Sequence, residues 1–333
     1  MGAHIESAEL VVSPGDFFQV GETKRIRSSI GLRLSDHSYL PKADEPRADW
    51  VASVAVPAFK TLARMGVLAP VFCTIGTGAG LDALAAVEIL HARTVGFTDL
   101  HEDVLAHARE NIRSNLLDDD VQLVGGAGDI LAPMAGRLSQ VDVVYENLPN
   151  IPMADSGDLA AGQTSSTFIT ERSEEIPGFA EKNLVTLHYL ALQQAHPFLR
   201  VGGHVLSSIG ARVPLSEILA LSGAAGYNGS ILTYTWKVQS EPRDVVGGYA
   251  QWEREGLGPF HFYPVNILRD AFEGLSVAAA GAQALRLEKR LSPFEISAAD
   301  ALALVERGER VGHTVAVLDS VKIPDSGAPR WNS

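Results

Sequence analysis

Three glycines and two acidic residues occur in an order that suits a nucleotide. Gly76, Gly78 and Gly80 follow an apolar run and precede a helical pattern. Glycines at such a turn let the backbone approach a ligand closely, and the N-terminus of the following helix binds electron-rich groups. Asp99 ends the next strand-like run, where a carboxylate accepts from ribose hydroxyls, and Asp129 ends the third, where it can accept from an adenine amino group. Each aspartate alone is an ordinary loop residue, but the ordered set predicts a site for an adenosine-containing ligand.

The elements that must position these residues alternate along the chain. Short apolar runs are separated by segments with helical spacing, and this rotation predicts an α/β protein with a doubly wound, mostly parallel sheet. The predicted strands span residues 70–75, 94–98, 121–124, 141–145 and 204–209, and the predicted helices span 49–65, 81–91, 103–115, 179–199 and 214–225. A polar stretch at 153–178 is long enough to be a functional lid or a disordered loop.

Beyond about residue 240 the pattern changes. Aromatic residues cluster at 252–263, and a helix at 297–306 and a strand at 313–318 follow, which we expect to form an added element. We therefore predict an N-terminal cap at 1–48, a ligand-binding domain at 49–240 and a C-terminal extension at 241–333 packed on that domain.

The composition limits the partners. Asp and Glu number 40 against 27 Lys and Arg, for a net charge of −13. This charge disfavours nucleic acid, because phosphate binding needs clustered basic residues. The sequence contains no run of about 18 apolar residues that would span a membrane, and no signal sequence at its start. We expect a cytoplasmic protein that acts on a small molecule, with self-association left open.

The histidines do not predict a metal. His188, His196 and His204 fall in one region but lack the spacing with carboxylates or cysteines that metal sites have. We expect them to be solvated or core histidines, and we expect no metal cofactor.

The chain resembles the class I S-adenosylmethionine-dependent methyltransferases, and within them it looks most like the branch of the release-factor glutamine methyltransferases. The resemblance covers roughly residues 50–240, in the segments 75–80, 97–111, 128–129, 145–152 and 198–204. It implies a Rossmann-like, seven-stranded sheet with S-adenosylmethionine lying across the strand ends. The cofactor-binding residues that it implies are Thr74, Gly76, Gly78, Gly80, Asp99, Leu100, Asp129, Ile130 and Asn147.

Two departures from the family pattern bear on the reaction. The family usually has an acid two residues before the first loop glycine, where this chain has Thr74, so the methionine ammonium loses its usual charged neighbour. The family's Asn-Pro-Pro-Tyr loop reads Asn147-Leu148-Pro149-Asn150 here, which keeps the asparagine and one proline but lacks the aromatic stacking platform. The resemblance implies that Asn147 orients a nitrogen nucleophile, and the missing platform argues against a glutamine side chain or a nucleobase as substrate.

Two reactions remain, together with a catalytically silent scaffold. One is cyclisation, in which the amine of S-adenosylmethionine attacks its own Cγ and expels methylthioadenosine. The chain is similar in overall layout to the azetidine-2-carboxylate synthases of bacterial secondary metabolism, which perform that reaction. The other is N-methylation of a small-molecule amine or a protein side chain. In either case we expect an aromatic face near the sulfonium, with Tyr189 as the catalytic candidate and Tyr145 as the second.

Overall fold

The computed structural model describes residues 10–149, 151–152, 166–167 and 174–324. Asn150 and most of the predicted loop at 153–178 lie outside the described residues. Within the described part, no helix is both long enough and apolar enough to cross a membrane.

Twelve strands and twelve α-helices make up the described chain. The strands are β1 (Leu10–Val12), β2 (Ile30–Leu32), β3 (Val71–Ile75), β4 (Thr94–Asp99), β5 (Gln122–Ala127), β6 (Val141–Glu146), β7 (Ile151–Pro152), β8 (Ser166–Thr167), β9 (Leu199–Ala211), β10 (Tyr227–Val238), β11 (Tyr263–Pro264) and β12 (Val311–Lys322). The helices are α1 (Pro14–Phe17), α2 (Val56–Arg64), α3 (Leu81–Ile89), α4 (Glu102–Asn115), α5 (Gly178–Lys182), α6 (Thr186–Ala195), α7 (Leu215–Ala224), α8 (Pro242–Arg254), α9 (Val265–Phe272), α10 (Val277–Gly281), α11 (Ala284–Leu291) and α12 (Ala298–Glu306). A π-helical turn at Val51–Ala55 leads into α2, and 3₁₀ turns lie at Ala132–Met134 and Ser292–Phe294.

Seven strands form one continuous sheet in the order β10-β12-β9-β6-β3-β4-β5, and β11 pairs with β12 beside it. Strands β5, β4, β3, β6 and β9 pair in parallel, whereas β12 is antiparallel to both β9 and β10. The predicted α/β fold with a mostly parallel seven-stranded sheet is therefore confirmed. Because the parallel strands all end at one edge, the residues that follow them meet there.

The sheet is buried on both faces, as its apolar strands require. Successive residues of a strand point to opposite faces, so Val143 and Tyr145 belong to the core under α2, α3 and α4, whereas Val144 belongs to the core under α6 and α7. The N-terminal strand β2 is held to the first of these layers by α4. There the amide oxygens of Asn111 and Asn115 accept from the backbone N–H groups of Arg33 and Gly31.

One predicted helix was wrong, and the strand predicted at 313–318 exists as β12 but was assigned to the wrong place. The predicted helix at 179–199 is two helices, α5 and α6, because Leu184 adopts a left-handed backbone with φ +56° that ends the first one. The predicted terminal strand is not an added element, since β12 lies inside the sheet between β9 and β10. The sequence reading also missed β10, whose mixed burial gives no clean alternation. The sheet thus draws a strand from the stretch that we assigned to a C-terminal extension.

Candidate active site

The predicted glycine loop connects β3 to α3 at the carboxyl edge of the sheet. Gly76, Gly78 and Gly80 all have left-handed backbones, with φ of +68°, +52° and +85°. At Gly80 a side chain is also excluded by space, because an added β-carbon would lie 2.8 Å from Cγ1 of Ile112. The loop is held against the neighbouring strand by two N–H groups, those of Gly76 and Thr77, which donate to the carbonyl of Thr98.

Asp99 lies beside this loop at the end of β4. Its carboxylate accepts from the backbone N–H of Gly78 at 3.1 Å and from that of His101 at 3.4 Å. Burial of the side chain raises the pKa of Asp99, and these hydrogen bonds act in the opposite direction. The structure therefore brings the predicted ribose-binding carboxylate into direct contact with the glycine loop.

Asp129 and Ile130 follow β5, on the far side of Asp99. One carboxylate oxygen of Asp129 accepts from the side-chain amide of Gln194 at 3.0 Å, and the amide oxygen of Gln194 accepts from the N–H of Leu131 at 2.9 Å. Sequence reasoning missed Gln194, although a glutamine in a largely buried helix is a usable signal. Nearby in the chain, Leu100 is 58% exposed at the end of β4 and offers apolar surface to a ring at this edge.

Thr74, which stands where the family has an acid, is itself hydrogen-bonded to an acid of the following helix. The Thr74 hydroxyl donates to the buried carboxylate of Asp82, in the first turn of α3, which also accepts from the Thr77 hydroxyl at 3.2 Å and the Ala83 N–H at 2.8 Å. Burial raises the pKa of Asp82 to about 6. The expectation that the methionine ammonium lacks its usual charged neighbour stays a prediction, since the partners of Asp82 are residues of the loop and of α3. An aspartate in the otherwise apolar start of α3 was the signal that sequence reasoning overlooked.

A buried histidine–carboxylate pair lies at the end of the strand that leads into the predicted catalytic loop. Glu146, the last residue of β6, and His188, on α6, are both fully buried, and Nδ1 of His188 is 2.7 and 2.9 Å from the two carboxylate oxygens. An ionised carboxylate only accepts hydrogen bonds, so Nδ1 is the ring nitrogen that donates to Glu146 and Nε2 is the nitrogen that is not used in this pair. Nε2 has no hydrogen-bond partner among the described residues. His188 is thus a core histidine, as expected, but it is paired at the site edge.

Asn147 and Leu148 begin the loop that follows. Asn147 is partly buried, and its side chain makes no hydrogen bond to any residue that the structure describes. Leu148 donates its N–H to Glu146 at 3.1 Å, and its Cδ2 atom would lie 3.6 Å from a β-carbon at Gly76. The side chain that replaces the second position of the family loop therefore packs over the start of the glycine loop.

The two tyrosine candidates lie in different cores. Tyr189 is 7% exposed among apolar side chains, and its hydroxyl accepts from Gln193 at 3.0 Å. Tyr145 is buried on the other face of the sheet, where its hydroxyl accepts from Ser208 at 3.2 Å. Among the described residues, no hydrogen bond and no contact between rings joins either tyrosine to the glycine loop, and the catalytic role of Tyr189 stays a prediction.

One cluster among the described residues has atom types that could hold a cation. His37, His101 and Asp103 place their ligand atoms within 4.8 Å of one another. The two imidazole rings are stacked, with centroids 4.6 Å apart, and Nδ1 of His37 is 2.9 Å from the Asp103 carboxylate. Because the two rings are stacked, their nitrogen lone pairs lie in parallel planes and do not converge on one ion. The arrangement therefore suits the hydrogen bond between His37 and Asp103 better than chelation. That the protein uses no metal stays a prediction.

No protein-family model and no curated protein match this chain. Solved structures do match it. Precorrin-6y C5,15-methyltransferase from Geobacter metallireducens GS-15 is 9% identical with a TM-score of 0.41, over 87% of this chain and 96% of that one. The [4+2]-cyclase SpnF is 12% identical with a TM-score of 0.38, over 87% and 88% of the two chains. SMU.776, solved with S-adenosylhomocysteine, is 12% identical with a TM-score of 0.42, over 72% and 52%. At such identities these similarities say nothing of activity, and the fold rests on the strand order described above.

Proposed function

We propose that this chain is an S-adenosylmethionine-using enzyme and that it cyclises S-adenosylmethionine to azetidine-2-carboxylate with release of methylthioadenosine. The adenosine half would lie across the ends of β3, β4 and β5, where the loop glycines approach it closely. Asp99 would accept from the ribose hydroxyls, Asp129 would accept from the adenine amino group, and Leu100 and Ile130 would contact the ring. The residues that we assign to binding are Thr74, Gly76, Gly78, Gly80, Asp99, Leu100, Asp129, Ile130 and Asn147.

The observation that carries the reaction is that Asn147 directly follows Glu146, whose carboxylate is paired with the buried ring of His188. An amine can attack only when it has lost its proton. Asn147 has an amide oxygen that can accept from an amino group and orient it, and His188 has an unpaired ring nitrogen that can take a proton. Glu146 fixes the tautomer of that ring and stabilises the imidazolium that forms, as a carboxylate does beside a catalytic histidine.

The bonds balance without another reactant. One proton leaves the ammonium for the base, and the nitrogen lone pair then forms a bond to Cγ while the Cγ–sulfur bond breaks. The sulfur keeps that electron pair and departs as neutral methylthioadenosine. The ring nitrogen keeps its two remaining hydrogens, so the product is the azetidine-2-carboxylate zwitterion, and the proton on the base is later lost to water.

Leu148 favours the intramolecular reaction. An aliphatic side chain packed over Gly76 excludes water from the sulfonium and offers no flat face on which a planar acceptor could stack. The second candidate is N-methylation of a small amine, because Asn147 can orient an amine from a separate molecule equally well.

The two candidates differ in what the purified protein makes from S-adenosylmethionine alone. Cyclisation gives methylthioadenosine and a four-carbon amino acid by mass spectrometry with no acceptor present. If nothing forms until an amine is added, and S-adenosylhomocysteine then appears, the cyclase is refuted and the methyltransferase stands. Absence of product under every condition would leave only a silent scaffold.

Substitution of Asn147 tests the loop itself. We expect Asn147→Ala to reduce turnover by about 100-fold or more, since a lost orienting contact misplaces the nucleophile, while calorimetry still detects binding of S-adenosylmethionine through the other assigned residues. Asn228→Ala, at an exposed position at the start of β10, is the matched control and should turn over normally. Normal turnover by Asn147→Ala would show that the loop is not catalytic.

A further inference from the structure

Arg212 is a buried cation for which the described residues provide no anion. It directly follows β9 and is only 6% exposed. Its terminal nitrogens contact the Gln239 amide oxygen at 2.6 Å, the Tyr249 hydroxyl at 3.4 Å, the Gly210 carbonyl at 3.5 Å and the His313 ring at 3.2 Å. These partners are neutral, and no carboxylate of the described residues lies within ion-pair distance. Buried charges in proteins are normally paired, because an uncompensated one is costly to desolvate.

The arginine is also left with a free donor. Its Nε–H has no hydrogen-bond partner among the described residues, and burial without an opposite charge lowers the pKa of the guanidinium. Burial and the positive charge of Arg212 also hold the pKa of His313 well below its usual range, so His313 is neutral and adds no second charge. A single positive charge with an open N–H group matches one ligand carboxylate better than a doubly charged phosphate.

The surrounding residues fix the guanidinium in place. It lies over the rings of Tyr249 and Phe262, with its central carbon 4.9 and 5.7 Å from their centroids. It also folds back along β9, where a β-carbon at Gly210 would collide with it. Such a preorganised group loses little further freedom when it binds a ligand.

The position of Arg212 relates it to Asn147. The Tyr145–Ser208 hydrogen bond shows that these two residues of β6 and β9 face the same side, and Asn147 and Gly210 each follow two residues later. Tyr145 pairs with Leu206, so Asn147, two residues later, is level with Ser208 on the neighbouring strand. Gly210, over which the guanidinium lies, is two residues beyond Ser208. Two rises of about 3.3 Å and one strand spacing of about 4.8 Å put the backbone positions of Asn147 and Gly210 roughly 8 Å apart, and the guanidinium lies over the second of them.

That separation matches an α-amino acid. The amine nitrogen and the nearer carboxylate oxygen of one amino acid are about 3 Å apart, given standard bond lengths and angles. A hydrogen bond of about 2.9 Å at each end extends the span to roughly 9 Å.

We infer that Arg212 binds the carboxylate of the amino-acid moiety of S-adenosylmethionine, whose amine Asn147 orients. This inference rests on the proposed function, since it places the same ligand in the same site. Arg212 is a positioning residue in this scheme: it holds the carboxylate, and so sets the direction from which the neighbouring amine approaches Cγ.

Binding measurements test this without turnover. The probes are S-adenosylhomocysteine, the same thioether without its carboxylate (S-adenosyl-3-thiopropylamine), and methylthioadenosine, titrated by calorimetry. We expect the wild type to prefer the carboxylate-bearing probe by about 10–100-fold, the usual value of a charge-assisted hydrogen bond. Arg212→Met should abolish that preference, and Arg212→Lys should keep part of it. Arg200→Met, at the opposite end of β9, is the matched control and should behave as the wild type.

Methylthioadenosine separates misfolding from loss of the carboxylate contact, because its affinity depends on the adenosine half alone and should be the same in all variants. An Arg212→Met protein that binds methylthioadenosine normally and keeps the wild-type preference would overturn the inference. If Arg212→Met does not fold, a wild type or an Arg212→Lys variant without any preference overturns it. A wild type that shows the preference but forms no methylthioadenosine from S-adenosylmethionine would refute the cyclisation and leave Arg212 in its role. A wild type that binds none of the three probes overturns both.

Discussion

The two ends of the central sheet differ in how their buried and half-buried polar side chains are paired. At the amino end, Arg200 pairs with Asp142 at 2.5 Å and His204 pairs with Asp319 at 2.9 Å. At the carboxyl end, one side-chain atom each of His188, Ser207 and Arg212 is buried without a partner, and these are the three such atoms among the described residues. Ser207 belongs to this end because it is level with Glu146, the last residue of β6.

The difference indicates which end binds a ligand. A buried donor or acceptor without a partner costs about 1–3 kcal/mol, so folded proteins keep few of them. Three such unpartnered atoms lie near one edge of the sheet, where the parallel strands end. This placement suggests that these atoms find their partners in a bound molecule. The amino end has the same residue types, arginine and histidine, but it satisfies them internally and has only structure to maintain.

The largest expected contrast is between the two buried histidine–carboxylate pairs. Glu146→Gln keeps the shape and a hydrogen-bond acceptor for His188 but removes the charge that stabilises an imidazolium, so turnover should fall by about 100- to 10,000-fold. Asp319→Asn makes the same change at the amino end and should leave turnover within about twofold. Initial rates of methylthioadenosine formation measure both, with thermal denaturation as a check on folding. Equal losses in the two variants would remove the functional distinction between the ends.

Asp82 gives the next largest effect, and its sign is unusual. Because burial raises its folded pKa to about 6 from 3.8, folding favours the protonated form, and the ionised carboxylate destabilises the protein as pH rises through that interval. Asp82→Asn should therefore raise the free energy of unfolding by about 1–3 kcal/mol near pH 8, with the gain vanishing near pH 4. Chemical denaturation at the two pH values measures this. A destabilised variant near pH 8 would mean that the ionised carboxylate stabilises the fold through its hydrogen bonds and would contradict this prediction.

At the amino end the corresponding ion pair should contribute little. Arg200 is partly exposed, with 39% of its side chain accessible, so solvent screens its attraction to Asp142. Arg200→Gln should lower the free energy of unfolding by only about 0.2–1 kcal/mol, less in high salt. Denaturant titrations at two salt concentrations provide the measurement. A loss well above that range would show that this end is strained as well as paired.

The smallest effect concerns His37 and Asp103, at the margin of the carboxyl edge. Their contact raises the pKa of His37 and lowers the pKa of Asp103 to about 2. The attraction between the His37 imidazolium and the Asp103 carboxylate is therefore present at mildly acidic pH. It is lost as pH rises through the raised pKa of His37, and it is also lost as pH falls through the lowered pKa of Asp103. An NMR titration should show His37 titrating above its usual 6.5, and Asp103→Asn should return it toward that value. An unchanged His37 pKa in Asp103→Asn would contradict the pairing.

The parts of the fold and site that sequence reasoning recovered are those with a local signature. The glycine loop, Asp99 and Asp129 are each read from one strand end, and the structure places them along one edge. Their order in the chain is their order across the sheet, because β3, β4 and β5 are neighbours. The alternation of strands and helices along the chain is enough to predict that these residues lie along one edge of the sheet.

The parts that were missed depend on contacts between distant residues. Glu146 and His188 are on a strand and a helix separated by a loop, and their pairing shows only when α6 packs on the sheet. Asp82, whose carboxylate accepts from the Thr74 hydroxyl, follows the glycine loop in the chain and does not precede it. A position-by-position comparison with the family pattern therefore does not find it. Arg212 has no local pattern at all, because the lack of an anionic partner among the described residues is seen only once the chain is folded.

The insertion of β12 between β9 and β10 has a consequence for synthesis. The strand that carries Arg212 and the strand that carries Gln239 do not touch each other until residues 311–322 lie between them. Because Gln239 follows β10 and His313 belongs to β12, the contacts that hold the Arg212 guanidinium are complete only when this late strand is in the sheet, whereas β3, β4 and β5 are synthesised well before it.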